Sequence, residues 1–225
     1  EIASCLVGSE MCIRDRSEST RTATFTPGRD AARKEASKLN VPRIGVRFRL
    51  PASMNQVEYF GRGPAENYLD RNAGSMVGLY KSTAEELYFP YVRPQENGHH
   101  TDTRWVSLST GKKGLLIQAD NTIGFNALRN SIEDFDDEEA TGLSRQWSNF
   151  TPEQVANHDE AAAKNVLRRQ HHINDITPRD FVEVCVDLKQ QGVAGYDSWG
   201  SRPEPAYTLP ANREYNWGFT LIPLK

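Results

Sequence analysis

The clearest indication of the fold class of this chain is the stretch VPRIGVRFRLP, residues 41–51. Its apolar side chains, from Ile44 to Leu50, alternate with glycine and arginine at a period of two. Successive side chains on a β-strand point to opposite faces, whereas an α-helix repeats every 3.6 residues. The stretch therefore predicts a β-strand with one buried and one exposed face.

Similar short strand-like stretches recur along the rest of the chain, and clusters of Gly, Pro, Asn and Asp separate them. Short strands without alternating helices are typical of an antiparallel architecture. We therefore predict an all-β fold, a large antiparallel β-sandwich. The further predicted strands cover residues 22–26, 56–60, 105–108, 115–119, 123–127, 181–188 and 215–221, and a short helical stretch is predicted at 31–39.

Residues 133–170 depart from the strand pattern and predict a partly helical insertion between two strands. The segment opens with a run of Asp and Glu, which lacks the alternating ligands and central Gly of a calcium loop and favours a solvated insertion. Thr151 as N-cap and Pro152 at the first helical position then predict a helix reaching Arg169.

Composition and charge exclude several classes of protein. The chain has 225 residues and a formal net charge of −3, with basic residues spread along its length, so a nucleic-acid partner is not expected. No apolar run approaches the roughly 18 residues needed to span a bilayer, so we expect a soluble protein and no membrane partner. The compartment stays open.

Cysteine and histidine spacing does not predict a metal site. Cys5, Cys12 and Cys185 lack metal-ligand spacing, and Cys185 falls in a strand pattern where a small buried hydrophobe is favoured over a reactive thiol. His99 and His100 are expected in an exposed turn, and adjacent residues on a strand point to opposite faces. The histidines at residues 171–172 are also adjacent, so on a strand they would point to opposite faces as well.

The N-terminal segment does not have the pattern of a strand or a helix. Residues 5–16, CLVGSEMCIRDR, resemble the conceptual translation of a transposase-type sequencing adapter, with a genuine disordered tail as the alternative. We therefore divide the chain into 1–16, an adapter-like artefact expected to be disordered; 17–40, a weakly ordered lead-in; and 41–225, the sandwich domain. The true N-terminus is expected to be missing.

Four blocks, taken together and in this order, resemble the C-terminal domain of family 2 β-galactosidases. They are residues 41–71, with a GRGPAENYLDR core, 91–105 (YVRPQENGHHTDTRW), 179–200 (RDFVEVCVDLKQQGVAGYDSWG) and 207–224 (YTLPANREYNWGFTLIPL). The resemblance spans about residues 41–224. It implies a supersandwich of the galactose mutarotase-like type and a parent enzyme that hydrolyses terminal β-D-galactosides.

Polar residues in the first two blocks are expected to order loops. Gly61, Gly63 and Pro64 permit an unusual backbone path after a strand, which places the following polar residues in a loop. Carboxylate–guanidinium pairs and bridging amides commonly order long connections. We assign this structural role, with sugar contact as the alternative, to Glu66, Asn67, Asp70, Arg71, Arg93, Glu96 and Asn97.

The candidate binding residue is Trp199. It lies in a glycine-rich loop outside any alternating core pattern, which favours a functional role. The alternative is that its side chain is buried in the core or in an interface. In the family that the chain resembles, the matching tryptophan is a platform for the sugar or aglycone beyond galactose. Its neighbours Tyr196, Asp197 and Ser198 are secondary candidates; Ala194 and Tyr196 replace the Gly and Asp usual there, which puts substrate preference in doubt.

The chain is not expected to catalyse hydrolysis by itself, and we assign no catalytic residue. A retaining glycosidase needs two carboxylates about 5 Å apart, which the resemblance places in a TIM barrel that this chain lacks. The same resemblance assigns magnesium and sodium to other domains and makes those domains, with the galactoside, the expected partners. The alternatives are a free-standing carbohydrate-binding module and, on fold analogy, an aldose mutarotase using His100.

Overall fold

The computed structural model describes residues 10–11, 19–25, 40–92, 94–135, 173–197 and 201–225. Within these ranges the regular structure is β-strand, with short 3-10 turns between strands, so the all-β prediction is confirmed. The strands are β1 (Glu10–Met11), β2 (Ser19–Phe25), β3 (Arg43–Pro51), β4 (Gln56–Gly63), β5 (Met76–Thr83), β6 (His100–Ser109), β7 (Gly114–Leu128), β8 (Phe181–Gln190) and β9 (Tyr215–Leu224).

The strands form one hydrogen-bonded sheet that branches at β7. Its main path runs β1-β3-β8-β7-β6-β4-β5, and β9 pairs with both β7 and β2. β7 has 15 residues: residues 114–119 pair with β9, whereas residues 124–128 pair with β8. The neighbours are antiparallel except β1 and β3, which are parallel.

Two strands are buried on both faces. Residues 123–128 of β7 and 182–187 of β8 are buried without interruption. A strand with one wet face would alternate between buried and exposed residues, so these segments are covered from both sides. Continuous burial of this kind fits the packed layers of a β-sandwich. Large side chains of this core include Phe48, Tyr59, Phe125, Ile117, Val106 and Phe219.

The stretch at residues 41–51 forms β3, as its alternation predicts. Ile44, Phe48 and Leu50 are buried. The register against β8 shifts between Ile44 and Gly45. A Cβ atom on Gly45 would overlap the Asp187 carboxylate of β8, so only glycine fits at this irregularity.

The other strand predictions differ from the structure in several places. The predicted strands at 115–119 and 123–127 are one continuous strand, because residues 120–122 are an exposed irregularity of β7 and not a turn. β5 was missed because its apolar residues, among them Val77 and Leu79, are exposed on an edge strand. Glu10–Met11 lies within the adapter-like segment and pairs with residues 47–48.

The chain divides into two compact units. The first comprises residues 1–89, 97–129 and 179–225 and includes the strands; the second comprises residues 90–96 and 130–178. In the second unit, 3-10 turns cover Ile132–Phe135 and Ile173–Asp175, and the Asn130 side chain donates to the Thr177 carbonyl at 2.9 Å. The predicted helix at 151–169, like the stretch at 31–39, lies outside the described residues.

Candidate functional site

The loop after β8 carries the predicted binding residues, and we call residues 191–201 the 191–201 loop. Its first residues are fixed by backbone hydrogen bonds: Gln191 N–H donates to the Pro42 carbonyl at 2.9 Å and Gly192 N–H to the Tyr207 carbonyl at 2.8 Å. Gly192 is buried, whereas residues 195–197 are exposed. The loop therefore starts on the sheet and then projects into solvent.

The Asp70 carboxylate, from the ENYLDR block, holds the middle of this loop. Its oxygens accept hydrogen bonds from Val193 N–H at 3.1 Å, from Ala194 N–H at 2.8 Å and from the Tyr196 hydroxyl at 3.2 Å. A Cβ on Gly192 would lie 2.5 Å from Asp70 Cγ, so the carboxylate packs directly on the glycine backbone. Residues from two of the four blocks, 123 and 124 positions apart in the sequence, are thereby joined.

The tip of the 191–201 loop is a tight turn through positive φ values. Ala194 has φ +55° and Gly195 has φ +83°. Tyr196 N–H then donates to Ser201 Oγ at 3.0 Å, and Ser201 N–H donates to Asp197 Oδ1 at 3.2 Å. Asp197, predicted to contact substrate, thus closes the turn with its own carboxylate.

Tyr196 is the exposed aromatic of the described loop residues, with 57% of its surface accessible. Partial desolvation and the neighbouring Asp70 carboxylate raise the pKa of its hydroxyl, which keeps the group protonated as a donor. Ser198 and Trp199, the other predicted binding residues, lie outside the described residues.

A second polar region is built from residues 64–72 and from residues 97–102, of which 100–102 begin β6. We call these two segments the paired loops. Glu66 ties them together: its carboxylate accepts from the Tyr68 hydroxyl at 3.1 Å, from the Arg71 guanidinium at 3.1 Å and from Gly98 N–H at 2.7 Å. Asn97 binds the Phe89 backbone through both ends of its amide. These are the structural roles expected for Glu66, Arg71 and Asn97.

Asn67 is fully buried at the centre of the paired loops. Its Oδ1 accepts from the backbone N–H of Thr101 at 2.9 Å and from the Thr101 hydroxyl at 2.6 Å. Its Nδ2 donates to the carbonyls of Arg62 and Ala65, each at 3.1 Å. An amide with partners on both sides is stable in a buried site, and it fixes the relative position of the two loops.

His99 and His100 are both buried, so the expectation of an exposed turn is wrong. His99 Nδ1 lies 2.8 Å from Asn126 Oδ1, and His100 Nδ1 lies 3.1 Å from the Arg62 carbonyl. Both acceptors are oxygens, which assigns the hydrogen to Nδ1 in each ring. Within the described chain, His100 Nε2 is buried without a hydrogen-bond partner.

Burial is the main reason why both imidazoles stay neutral. It lowers the pKa of His99 to about 3, with a further lowering by the Arg43 guanidinium, and lowers the pKa of His100 to about 4. The His100 ring also stacks on Phe125, with centroids 5.1 Å apart. Their burial follows from packing between strands, which no short-range pattern in the sequence reveals.

Buried acids in the strand-bearing unit contact arginines. Asp187 Oδ2 lies 3.1 Å from Arg43 Nε, and Glu183 contacts Arg47 at 3.5 Å and Arg49 at 3.1 Å. Cys185 is buried, as its strand position predicted. In the part of the chain that the structure describes, no group of three or more His, Cys, Asp or Glu residues could hold a metal ion.

A small cavity of about 40 Å³ opens beside His99. Its lining includes Leu69, His99, Asp102, Gly124 and Gln190. This volume accommodates a few water molecules, whereas small-molecule sites typically occupy about 300–1,000 Å³. The cavity is therefore too small to enclose a pyranose ring.

The described fold and site define an all-β domain with an apolar core, a set of hydrogen-bonded buried polar side chains and an exposed loop bound by Asp70. Residues 11–221 match the family model for the β-galactosidase small chain. The chain belongs to this β-galactosidase small-chain family. No described helix is both long and apolar enough to cross a membrane.

Curated relatives are whole β-galactosidases. The chain is 35% identical over 185 residues to the enzyme of Priestia megaterium, covering 82% of this chain and 15% of that protein. It is 40% identical over 111 residues to the enzyme of Arthrobacter sp. (47% and 11%) and 29% identical over 181 residues to that of Vibrio cholerae (80% and 14%). The chain thus spans about one seventh or less of the length of these relatives.

Proposed function

We propose that this chain is the C-terminal domain of a retaining β-galactosidase and that Trp199 supplies a platform for the aglycone of a β-D-galactoside. The observation that carries the proposal is the match of residues 11–221 to the small-chain family, within relatives of much greater length. The domain then contributes one wall to an active site whose chemistry resides in the other domains of the parent enzyme.

The shape of the 191–201 loop supports a contact role. Tyr196 and Asp197, three and two residues before Trp199, are exposed, while Gly192 at the loop base is buried. A loop held at its base and exposed at its tip can present an aromatic side chain without a large loss of conformational entropy on binding. A flat indole packs well on the apolar face of a pyranose ring.

The state of the buried acids supports a catalytic centre outside this chain. A retaining mechanism needs two carboxylates about 5 Å apart that reach the substrate. Glu183 and Asp187 are buried against arginines, and Glu66 is occupied by the paired loops. We assign the nucleophile, the general acid/base and the magnesium and sodium sites to the other domains.

The burial of His100 weighs against the mutarotase alternative. A general acid/base must reach the proton that it transfers. His100 is 1% exposed, and its Nδ1 hydrogen is engaged by the Arg62 carbonyl. The imidazole is therefore better suited to packing than to proton transfer.

The proposal is tested by replacing the matching 185 residues of the Priestia megaterium β-galactosidase with this chain. We expect the chimera to hydrolyse a chromogenic galactoside, the truncated enzyme lacking the segment to be impaired, and the purified chain to show no turnover. Turnover by the purified chain would contradict the assignment of catalysis to other domains. A well-folded chimera without activity would contradict the domain assignment.

The platform role is tested in the same chimera with Trp199→Ala. Loss of one aromatic contact worth about 1.4 kcal/mol should raise KM for lactose about tenfold. We expect inhibition by galactose to change little, because galactose occupies the other side of the scissile bond. The control is Phe60→Ala, which removes a partly exposed aromatic from β4. Equal effects of the two substitutions would refute the platform.

A further inference from the structure

We propose that Asn97-Gly98 is a latent site of covalent modification: the folded paired loops block intramolecular deamidation of Asn97, and local opening of these loops permits it. Asparagine is among the chemically labile residues of proteins, and the Asn-Gly dipeptide occurs once in this sequence. The chain supplies both reacting groups, and solvent supplies the base and the water. The inference is independent of the proposed function.

The reaction joins the backbone nitrogen of Gly98 to the side chain of Asn97. The nitrogen loses its proton to a solvent base and attacks Cγ, which forms a cyclic succinimide. The bond from Cγ to Nδ2 then breaks, and Nδ2 takes up a proton and leaves as ammonia. Water opens the ring at either carbonyl and leaves aspartate or isoaspartate at residue 97. Glycine favours the attack because it has no Cβ to hinder the approach.

The peptide unit between Asn97 and Gly98 is fixed at both of its polar groups. Its carbonyl accepts from Asn126 Nδ2 at 2.6 Å, and its N–H donates to Glu66 Oε2 at 2.7 Å. A hydrogen bond from an N–H group to a carboxylate is stronger than one between neutral groups. The electron pair that would attack Cγ lies along this N–H bond, so in the folded chain it points at Glu66.

The side chain of Asn97 is fixed independently of its backbone. Phe89 N–H donates to Asn97 Oδ1 at 2.8 Å, and Asn97 Nδ2 donates to the Phe89 carbonyl at 2.5 Å. These two hydrogen bonds set the plane of the amide and hold the nitrogen that would leave. Asn97 is 2% exposed and Gly98 is buried, so a solvent base has little access to the reacting atoms.

The fold requires both members of this labile pair. Gly98 has φ +67°, and a Cβ there would lie 3.0 Å from the Leu87 carbonyl oxygen, so residues with a side chain are disfavoured. An amide is needed at residue 97, because the Phe89 backbone offers one donor and one acceptor, whereas an ionised aspartate could only accept. The paired loops therefore stabilise a dipeptide that becomes reactive when they open.

The products of deamidation cannot restore the original contacts. Aspartate would place a carboxylate oxygen against the Phe89 carbonyl in a buried site, and a buried charge without a donor is costly. Isoaspartate would add one carbon to the main chain between residues 97 and 98, close to the start of β6. Modification therefore converts a reversible local opening into an irreversible loss of structure.

The test compares the whole chain in its folded state with the same chain unfolded in guanidinium chloride, at equal pH and temperature. Mass spectrometry with fragmentation that distinguishes aspartate from isoaspartate follows residue 97. We expect modification of the folded chain to be about one hundred times slower or more, because only the open fraction reacts. Equal rates in the two states would overturn the proposal.

Asn121 is the internal reference for this comparison. It is exposed in the folded chain, but the next residue is Thr122, whose branched side chain hinders attack. We expect residue 121 to change much more slowly than residue 97 in the unfolded chain. Modification of both residues at the same rate there would show that Asn97-Gly98 is not a special site.

Glu66→Ala tests the protecting hydrogen bond directly. It removes the acceptor of the Gly98 N–H, and we expect residue 97 of the folded variant to be modified about ten times faster or more than in the unsubstituted chain. The control is Phe219→Leu, which weakens the buried core at β9. Denaturant unfolding of both variants gives the fraction of each that is globally unfolded.

The two variants separate local protection from global stability. If the proposal holds, Glu66→Ala is modified faster than its globally unfolded fraction accounts for, whereas Phe219→Leu follows that fraction. Rates that follow global unfolding in both variants would overturn the protecting role of Glu66. A slower reaction in folded Glu66→Ala would also overturn it, because the carboxylate would then act as the base that promotes deamidation.

Discussion

The paired loops and the 191–201 loop are both irregular and polar, but they are held in opposite ways. Asn67, Asn97 and His99 are no more than 2% exposed, and both amide groups and the His99 Nδ1 atom have hydrogen-bond partners in neighbouring segments. In the 191–201 loop, Tyr196 and Asp197 are exposed. Among the described residues, the Asp70 carboxylate accepts hydrogen bonds from Val193, Ala194 and Tyr196 of this loop.

Polar residues in a motif therefore do not by themselves mark a binding surface. Buried polar residues are tolerated where their hydrogen bonds are satisfied, and there they rigidify the fold. The paired loops are such a scaffold. In the 191–201 loop, Tyr196 and Asp197 form hydrogen bonds and are still exposed, so their side chains are accessible to other molecules or domains.

The largest expected effect is a loss of stability in mild acid that originates in the paired loops. The folded pKa values of His99 and His100, about 3 and 4, lie below the ordinary value of 6.5. The unfolded chain therefore takes up protons that the folded chain excludes. Stability from this source is complete above pH 6.5 and is lost as the pH falls, by about 4 kcal/mol for both residues at pH 5.

Urea unfolding between pH 7.5 and pH 5 measures this loss. His99→Gln keeps a side-chain donor near Asn126 but does not titrate, so about half of the pH-dependent loss should disappear. If His99→Gln retains the full pH dependence of the free energy of unfolding, the assignment to buried imidazoles is wrong.

A smaller loss is expected from Asn67→Ala, which removes the amide that joins the paired loops. The variant leaves the N–H of Thr101 and the carbonyls of Arg62 and Ala65 without these partners. We expect the free energy of unfolding to fall by about 2–4 kcal/mol. The matched control is Asn55→Ala, whose amide binds the exposed Glu85; a similar loss in both variants would show that burial is not the cause.

Gly98→Ala should destabilise the paired loops by about 2–3 kcal/mol. Gly98 has φ +67°, and a Cβ there would lie 2.8 Å from Leu128 Cδ2 and 3.0 Å from the Leu87 carbonyl oxygen. Backbone strain and steric overlap therefore add. Gly74→Ala is the control, because a Cβ at that residue would meet nothing within 4 Å and its φ is ordinary. Thermal unfolding that ranks the two variants equally would contradict this account.

The smallest expected effect has the opposite sign and lies in the 191–201 loop. Ala194 has φ +55°, a conformation that costs a residue with a side chain about 1–2 kcal/mol. Glycine relieves this strain but increases the entropy of the unfolded chain, so Ala194→Gly should stabilise by about 0.5–1 kcal/mol net. A destabilised variant in urea unfolding would mean that the alanine is not strained.

Much of the fold could be predicted from local patterns, and the errors have physical causes. β3, β4, β8 and β9 were predicted because their apolar residues alternate or cluster where the sheet is buried. β5 was missed because it is an edge strand with exposed apolar residues, and β7 was divided because Asp120 and Asn121 looked like a turn. Strand pairing across an irregularity overrides such local signals.

The candidate site was also predicted correctly only in part. The expectation that Glu66, Asp70 and Asn97 order loops agrees with their hydrogen bonds, because their residue types suit bridging. The exposed turn expected for His99 and His100 was wrong, because their burial depends on Asn126 and Phe125 from another strand. Arg93 and Trp199 lie outside the described residues, and the platform role stays a prediction.

Residue types at short spacing were enough to predict most of the strands, the family and the loop that carries the candidate tryptophan. Only the tertiary structure decided which side chain holds that loop. Asp70 meets Val193 and Ala194 across 123 and 124 residues of sequence. Such a contact depends on how the sheet brings distant segments together, and a hydrogen bond requires placement to within a fraction of an ångström that no local pattern encodes.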